Sequence, residues 1–242
     1  NRFANQDKRI RPLMQRHGGV SRARNNGISN ARGKYLAFLD SDDGYLSGAL
    51  AALVSVMQQV PSSVKLIYGD FVAVDGAGKV LRKVKAAKPL SRPSLFFQFL
   101  ISGANPVVPS TCLLNKDILD EIGSFDESLD VCEDVDLWSR LICKYDICKL
   151  NRDITAYRTH GDQLTGNEGV RRFNRDRHAL RFFQRLTIAQ WFPEAVTDEE
   201  RAIKLTDLAK VMVQREYPTI DTALFLLDQA QKLNHDSERQ AL

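Results

Sequence analysis

The segment Asp40-Ser41-Asp42-Asp43-Gly44 places three carboxylates within four residues, directly after the apolar run Tyr35-Leu36-Ala37-Phe38-Leu39. Carboxylates this close repel one another unless a cation sits among them. Hard divalent ions such as Mg²⁺ or Mn²⁺ take oxygen ligands and commonly bridge to a phosphate. The same residues would also serve as acidic caps on a following helix. An EF-hand loop is excluded, because counting from Asp40 puts the glycine one place early at Gly44 and Ala51 at position twelve.

Three further groups could join this chemistry. Glu133-Asp134 opens an amphipathic run containing Trp138, Leu141 and Ile142. A helix N-terminus favours carboxylates for its dipole alone, but one of them could also act as a general base towards a bound hydroxyl. Asp134 is the choice for that base, which leaves Glu133 to bind acceptor hydroxyls. In His17-Gly18-Gly19-Val20-Ser21-Arg22-Ala23-Arg24-Asn25, paired glycines precede a helix. Exposed N–H groups there, with Arg22 and Arg24, suit a diphosphate. His160 ends Tyr157-Arg158-Thr159-His160, and neutral imidazole serves as a metal ligand or as a structural hydrogen-bonding group.

The elements that must position these residues alternate in type. Ile10–Met14 reads as a short edge strand, because Pro12 cannot donate to a central ladder. Val20–Ala31 reads as a helix, Tyr35–Leu39 as a buried strand, and Ser47 as the cap of a helix carrying Leu50, Leu53, Val54 and Met57. Leu66–Tyr68 reads as a strand, and Asp75-Gly76-Ala77-Gly78 as a hairpin turn. Short helices follow at Ser94–Ile101 and Lys116–Ile122 around a strand at Thr111–Leu114, and then the Glu133–Lys144 helix. This alternation predicts an α/β domain with a mostly parallel sheet flanked by helices.

After Gly166 the pattern is helical throughout, with an arginine-rich helix at Val170–Leu186 and further helices at Asp198–Glu216 and Ile220–Leu233. We therefore divide the chain into residues 1–165, a basic connecting helix at 166–196, and a helical hairpin at 197–242. Basic residues dominate the first 35 positions, opposed only by Asp7, and the net charge is +4. That asymmetry points to an anionic partner. No motif that reads nucleic acid accompanies it. The four cysteines lack metal-finger spacing and sit among apolar neighbours, which predicts reduced thiols in the cytoplasm. No apolar run approaches the roughly 20 residues of a membrane span.

Taken in order, the four constellations resemble the family 2 glycosyltransferases. His17 to Ile28, then Ala31 to Asp43, looks like that family's helix, strand and DxD unit. Gly123-Ser124-Phe125-Asp126-Glu127 and Glu133-Asp134-Val135-Asp136-Leu137-Trp138 resemble the segment leading into its "ED" helix. The resemblance implies a GT-A fold with Mn²⁺ or Mg²⁺ bound under a nucleoside diphosphate sugar, a UDP-sugar first among donors. Asp42 then holds the metal, with His160 as a further contact, while Gly19, Arg22, Arg24, Asn25, Asp40 and Asp43 surround the nucleotide-sugar. Asp134 becomes the catalytic base of an inverting transfer, with Glu133 and Trp138 binding a glycan or lipid-linked acceptor in bacterial polysaccharide, lipopolysaccharide or glycoconjugate synthesis. The family's first two strands, with the aspartate that reads the base, are expected upstream of Asn1, so this chain would lack them.

Asp221 to Asn234 also resembles the second helix of a tetratricopeptide repeat, a unit that needs stacked neighbours and could bind a protein partner. The arginine-rich helix allows peripheral contact with anionic lipid. The reading set against the enzyme is a non-catalytic remnant that retains sugar or nucleotide affinity and acts as a scaffold.

Overall fold

A computed structural model of the chain describes residues 2–89, 107–161, 176–177, 179–184, 187–192, 194–214 and 218–240. Its centre is the 11-residue strand β3 (Val64–Val74), long because apolar residues cover both of its faces. Leu66 and Tyr68 face one layer and Ile67 the other, as the two-residue period of a strand requires. Around it lie β1 (Tyr35–Ala37), β2 (Gly44–Tyr45), β4 (Val80–Val84), β5 (Cys112–Asn115) and β6 (Asp146–Arg158). The sheet order is β1-β5-β3-β6-β2, with β4 paired to β3.

The α/β architecture is as expected, but the strand directions are not. Among the described strands only β3–β6 is a parallel pair, and the other four pairings are antiparallel. The alternating pattern recorded the order of elements and carried no information on direction. β4 returns from β3 through the predicted Asp75–Gly78 hairpin, and β5 enters between β1 and β3 running against both. β1, β3 and β6 therefore share one direction. Asp40 follows the carboxyl end of β1, and His160 follows that of β6. The sheet curls enough for the Tyr45 hydroxyl, in β2, to donate to the Phe38 carbonyl at 2.6 Å, beyond β1.

Helices cover both faces. α2 (Gly19–Asn30) and α5 (Glu133–Ile142) pack one face through Ile28, Leu137, Trp138, Leu141 and Ile142. α3 (Ala49–Gln59) covers the other with Ala49, Leu53 and Met57 against Ile67, Leu113 and Ile154. Full burial of Leu53 stabilises the fold by about 2 kcal/mol. A short helix α4 (Leu119–Ile122) follows β5 through a 3-10 turn. α6 (Ile188–Trp191), α7 (Asp198–Gln214) and α8 (Ile220–Gln240) build a separate core from Trp191, Phe192, Leu205, Met212 and Leu226.

Several local expectations change. Ile10–Met14 forms no strand and lies exposed, preceded by a five-residue helix α1 (Arg2–Gln6) that the sequence did not announce. With Pro12 missing a donor and neighbours Arg9, Arg11 and Arg16 all exposed, nothing holds that run in a ladder. The strand read at Tyr35–Leu39 stops at Ala37 and buries only Leu36, because β1 is an edge of the described sheet. α3 is preceded by Gly48 in a left-handed conformation, with no side-chain cap from Ser47. The helix expected at Ser94–Ile101, and most of the one at Val170–Leu186, fall outside the described residues. None of the four cysteines is joined in a disulfide. Among the described residues no helix is long and apolar enough to cross a membrane.

Gly69 of β3 leaves no room for a side chain against β6: a Cβ there would lie 2.3 Å from Ile154 Cγ1 and 2.8 Å from the Arg152 carbonyl. Gly69→Ala is therefore expected to force the two strands apart and destabilise the protein by about 2 kcal/mol. Chemical denaturation of the purified variant measures this, and an unchanged midpoint would mean that β6 yields without cost.

Candidate active site

The cleft forms at the shared carboxyl end of β1 and β6, where ligands gather in open α/β sheets. Gly19, with φ of 82°, opens α2 in a conformation that suits glycine. The helix then carries Arg24 over the Phe125 ring, 5.3 Å from its centroid. Arg24 makes two ion pairs. Its Nη2 donates to Asp40 at 2.8 Å, and its Nη1 donates to Glu133 at 2.6 Å. Only 11% of the Arg24 and Glu133 side chains is exposed. Burial pulls the Arg24 pKa down, but the Asp40 and Glu133 charges more than offset it and leave it above the ordinary value. One guanidinium thus fastens the acidic turn after β1 to the start of α5.

The turn itself is held from β6. Arg158 N–H donates to Asp43 Oδ1 at 3.0 Å, and Arg158 Nε donates to the Asp42 carbonyl at 3.0 Å. The Arg158 guanidinium also reaches the carbonyls of Asp75 and Gly76 in the β3–β4 hairpin. His160 Nε2 lies 3.0 Å from Asp42 Oδ2. Ser110, before β5, accepts the Asp40 N–H at 3.2 Å.

α5 begins abruptly. Cys132 has φ of 65°, the positive value that, among the described residues, no other non-glycine adopts. Such a backbone costs a side-chain-bearing residue on the order of 1 kcal/mol. The turn it makes delivers Glu133 to Arg24 and Asp134 to the cleft. Burial, then the neighbouring Glu133 charge, pushes the Asp134 carboxyl up to about 7. Val135 N–H, which donates to Asp134 Oδ1 at 2.7 Å, opposes that rise only in part.

A cavity of about 720 Å³ results, lined by Val20, Ala23, Arg24, Phe38 to Asp42, Val108, Pro109, Asp130 to Asp134, Tyr157 and His160. That volume lies within the range of small-molecule sites. Asp40, Asp42, Glu133, Asp134 and His160 therefore meet in one place, although 94 residues separate Asp40 from Asp134 in sequence.

The other candidates lie elsewhere. Asp43 turns back under the turn, bonded to Arg158, and burial raises its pKa against the opposing Ser110 and Arg158 hydrogen bonds. Trp138 is core, 1% exposed, with its indole N–H donated to the Val107 carbonyl at 3.0 Å, so it has no face for an acceptor. Asn25 braces the chain, bonding both the N–H and the carbonyl of Phe125 and reaching Glu127. Arg22 is exposed and lies across Gly18. Neither Arg22 nor Gly19 lines the cavity. Conversely, Cys132, Asp130 and Tyr157 line it without having been singled out, and Arg158 organises it. Only Arg158's position beside His160 hinted at that role.

Among the described residues no three acidic, histidine or cysteine groups converge to hold a metal by themselves. Asp42 and His160 supply two donors at the cleft. Such a pair fits an ion that completes its shell with phosphate oxygens and water, the usual habit of Mg²⁺.

A curled α/β sheet with helices on both faces and an acidic turn at its carboxyl end defines a GT-A-type fold. Crystalline Staphylococcus aureus TarS 1-349 in complex with UDP-GlcNAc shares it with a TM-score of 0.53 at 16% identity, over 95% of this chain and 74% of that one. A profile described as "Glycosyltransferase like family 2" matches residues 4–200. The chain belongs to that family. An uncharacterized glycosyltransferase of Rickettsia bellii is 26% identical over 209 residues, 86% of this chain and 28% of its own length. A relative in Rickettsia felis is 26% identical over 226 residues, or 90% and 33%. EpsJ of Bacillus subtilis, an uncharacterized glycosyltransferase, is 52% identical over 48 residues, 20% of this chain and 14% of its own. The chain thus spans about a third or less of the length of these two Rickettsia relatives.

The Asp134 environment yields a stability prediction. Its folded pKa lies above the ordinary 3.8, so between these values the folded state keeps a proton that the unfolded chain releases. Stability from this group is full below pH 3.8 and declines as pH rises to about 7. Asp134→Asn removes the burial cost of the charge, so its melting temperature should exceed that of the wild type at pH 8, and the gap should close as the pH falls towards 3.8. Equal melting curves across that range would contradict the burial of this carboxylate. Removing the Arg24 charge acts oppositely: Arg24→Gln leaves Asp40 and Glu133 facing each other and should cost about 3 kcal/mol in denaturant titration.

Proposed function

We propose that the protein transfers a sugar from a nucleoside diphosphate sugar to an acceptor hydroxyl. The observation that carries this reading is the joining of Asp40 and Glu133 by Arg24, which sets the acidic turn and Asp134 across one cleft. The TarS complex, which holds UDP-GlcNAc in the same fold, favours a UDP-sugar as donor.

Asp134 is the base. As the acceptor oxygen bonds to the anomeric carbon, its proton passes to Asp134, and the carbon–oxygen bond to the diphosphate breaks on the opposite side. A single displacement of this kind inverts the anomeric centre. A carboxyl poised near neutrality is well matched to the task. Arg24 is already committed to two carboxylates, so its part is to hold the cleft together and leave the diphosphate to other groups.

Asp40, Asp42, Asp130, Glu133 and Asp134 line the cavity against one guanidinium, a surplus that repels a bare diphosphate. Asp42 and His160 are the residues that would hold Mn²⁺ or Mg²⁺, whose positive charge would stabilise the leaving diphosphate. A glycan or lipid-linked hydroxyl is the acceptor class. The presence of both Asp42 and Asp134 in one cleft favours an enzyme over a non-catalytic remnant.

The test compares wild type, Asp42→Ala and Asp134→Asn for UDP-GlcNAc binding, with and without Mn²⁺, and for transfer to acceptor. Asp42→Ala should lose Mn²⁺-dependent binding. Asp134→Asn should bind as wild type and lose turnover by roughly 10²- to 10⁴-fold. Equal transfer by all three proteins would refute the assigned roles.

A further inference from the structure

The arginine-rich helix was expected to present its charges to water or lipid, yet two of its arginines point inward. Arg181 Nη1 donates to Asp126 Oδ2 at 2.5 Å and to Ser128 Oγ at 2.9 Å, and Arg177 Nη1 donates to the Ser128 carbonyl at 3.1 Å. Asp126 is the residue that folds this turn: its Oδ1 accepts the Ser128 N–H at 2.9 Å and the Ser128 hydroxyl at 2.5 Å, and its carbonyl accepts the Leu129 N–H at 3.2 Å. The ion pair is sheltered, with 27% of the Arg181 side chain and 23% of the Asp126 side chain exposed.

The rest of this segment is held just as closely. Arg140 of α5 donates to the carbonyls of Ile122, Gly123 and Ser124, and Asn25 of α2 grips Phe125 on both sides. Residues 122–128 are thus clamped by side chains from α2, from α5 and from helical residues 177 and 181. Two residues later the chain becomes cleft wall, from Asp130 to Asp134.

We infer that Arg181 is a positioning residue: by fixing Asp126, the C-terminal helical part sets the placement of the Asp130–Asp134 wall and so of the base. This rests on the transferase reading, but its mechanical half does not. One nitrogen of Arg181 makes both contacts, so lysine can reproduce them, whereas glutamine cannot restore the charge.

The experiment measures amide hydrogen exchange and transfer in Arg181→Gln and Arg181→Lys. In Arg181→Gln, peptides covering 125–134 should exchange roughly tenfold faster while those covering 35–45 stay unchanged, as loss of one charge-assisted anchor predicts. Turnover should fall roughly tenfold with UDP-GlcNAc affinity retained, and Arg181→Lys should recover both. Unchanged exchange at 125–134 overturns the inference. So does faster exchange with wild-type turnover, or uniform loosening of the whole domain. If the wild type transfers no sugar yet the exchange pattern holds, the transferase reading fails while the clamp stands.

Discussion

The site depends on one cation shared between two carboxylates. Asp40 lies in the turn three residues beyond a strand near the start of the chain, and Glu133 begins a helix far along it. The Arg24 guanidinium joins them directly. A largely buried arginine costs desolvation, and the two pairings with the contact over Phe125 offset that cost. Its value is geometric. The planar fork of arginine fixes two acceptors at a set separation, which lysine would not do. The aromatic chain Phe38–Phe125–Trp138 supports the same junction from below, with ring centroids 5.3 and 6.5 Å apart.

Around that junction the fold sorts carboxylates by environment. Asp42 stays at the cleft with His160, Asp43 is spent on the backbone of Arg158, and Asp134 is shielded enough for its proton to be held towards neutrality. Three aspartates of one motif and two acids of another therefore have different tasks although their chemistry is the same. Sheet direction makes this economical, since β1 and β6 end on the same side and bring their trailing loops together.

Much of this could be read from the residues. The acidic turn, the Glu133-Asp134 helix start, the hairpin at Asp75–Gly78 and the helices at α7 and α8 all follow from local rules of spacing, turn chemistry and periodicity. Strand direction was not legible, because antiparallel and parallel neighbours of β3 bury the same apolar pattern. Nor were the individual roles in the motifs. Arg24 and Asn25 are adjacent on α2, yet one spans the cleft wall and the other grips Phe125, and which contact each makes depends on a segment 100 residues away. Trp138 illustrates the opposite error: its amphipathic placement was read correctly, but a stripe of apolar residues marks the core side of a helix and not the ligand side.

The left-handed residue ahead of α5 fixes more than a bend. A helix rotates about 100° per residue, so its first position determines which compass bearing every later side chain takes. With Cys132 as the pivot, Glu133 meets Arg24, Asp134 meets the cleft, and Leu137, Trp138 and Leu141 meet the core, all from a single phase setting. A side-chain exchange along residues 126–132 acts on that phase only through the contacts it removes, those of Asp126 first among them. Adding or deleting one residue there would turn the whole helix like a misaligned gear, carrying Asp134 out of the cleft and charged groups into the apolar layer. The segment's length is therefore as binding a constraint as the contacts it makes.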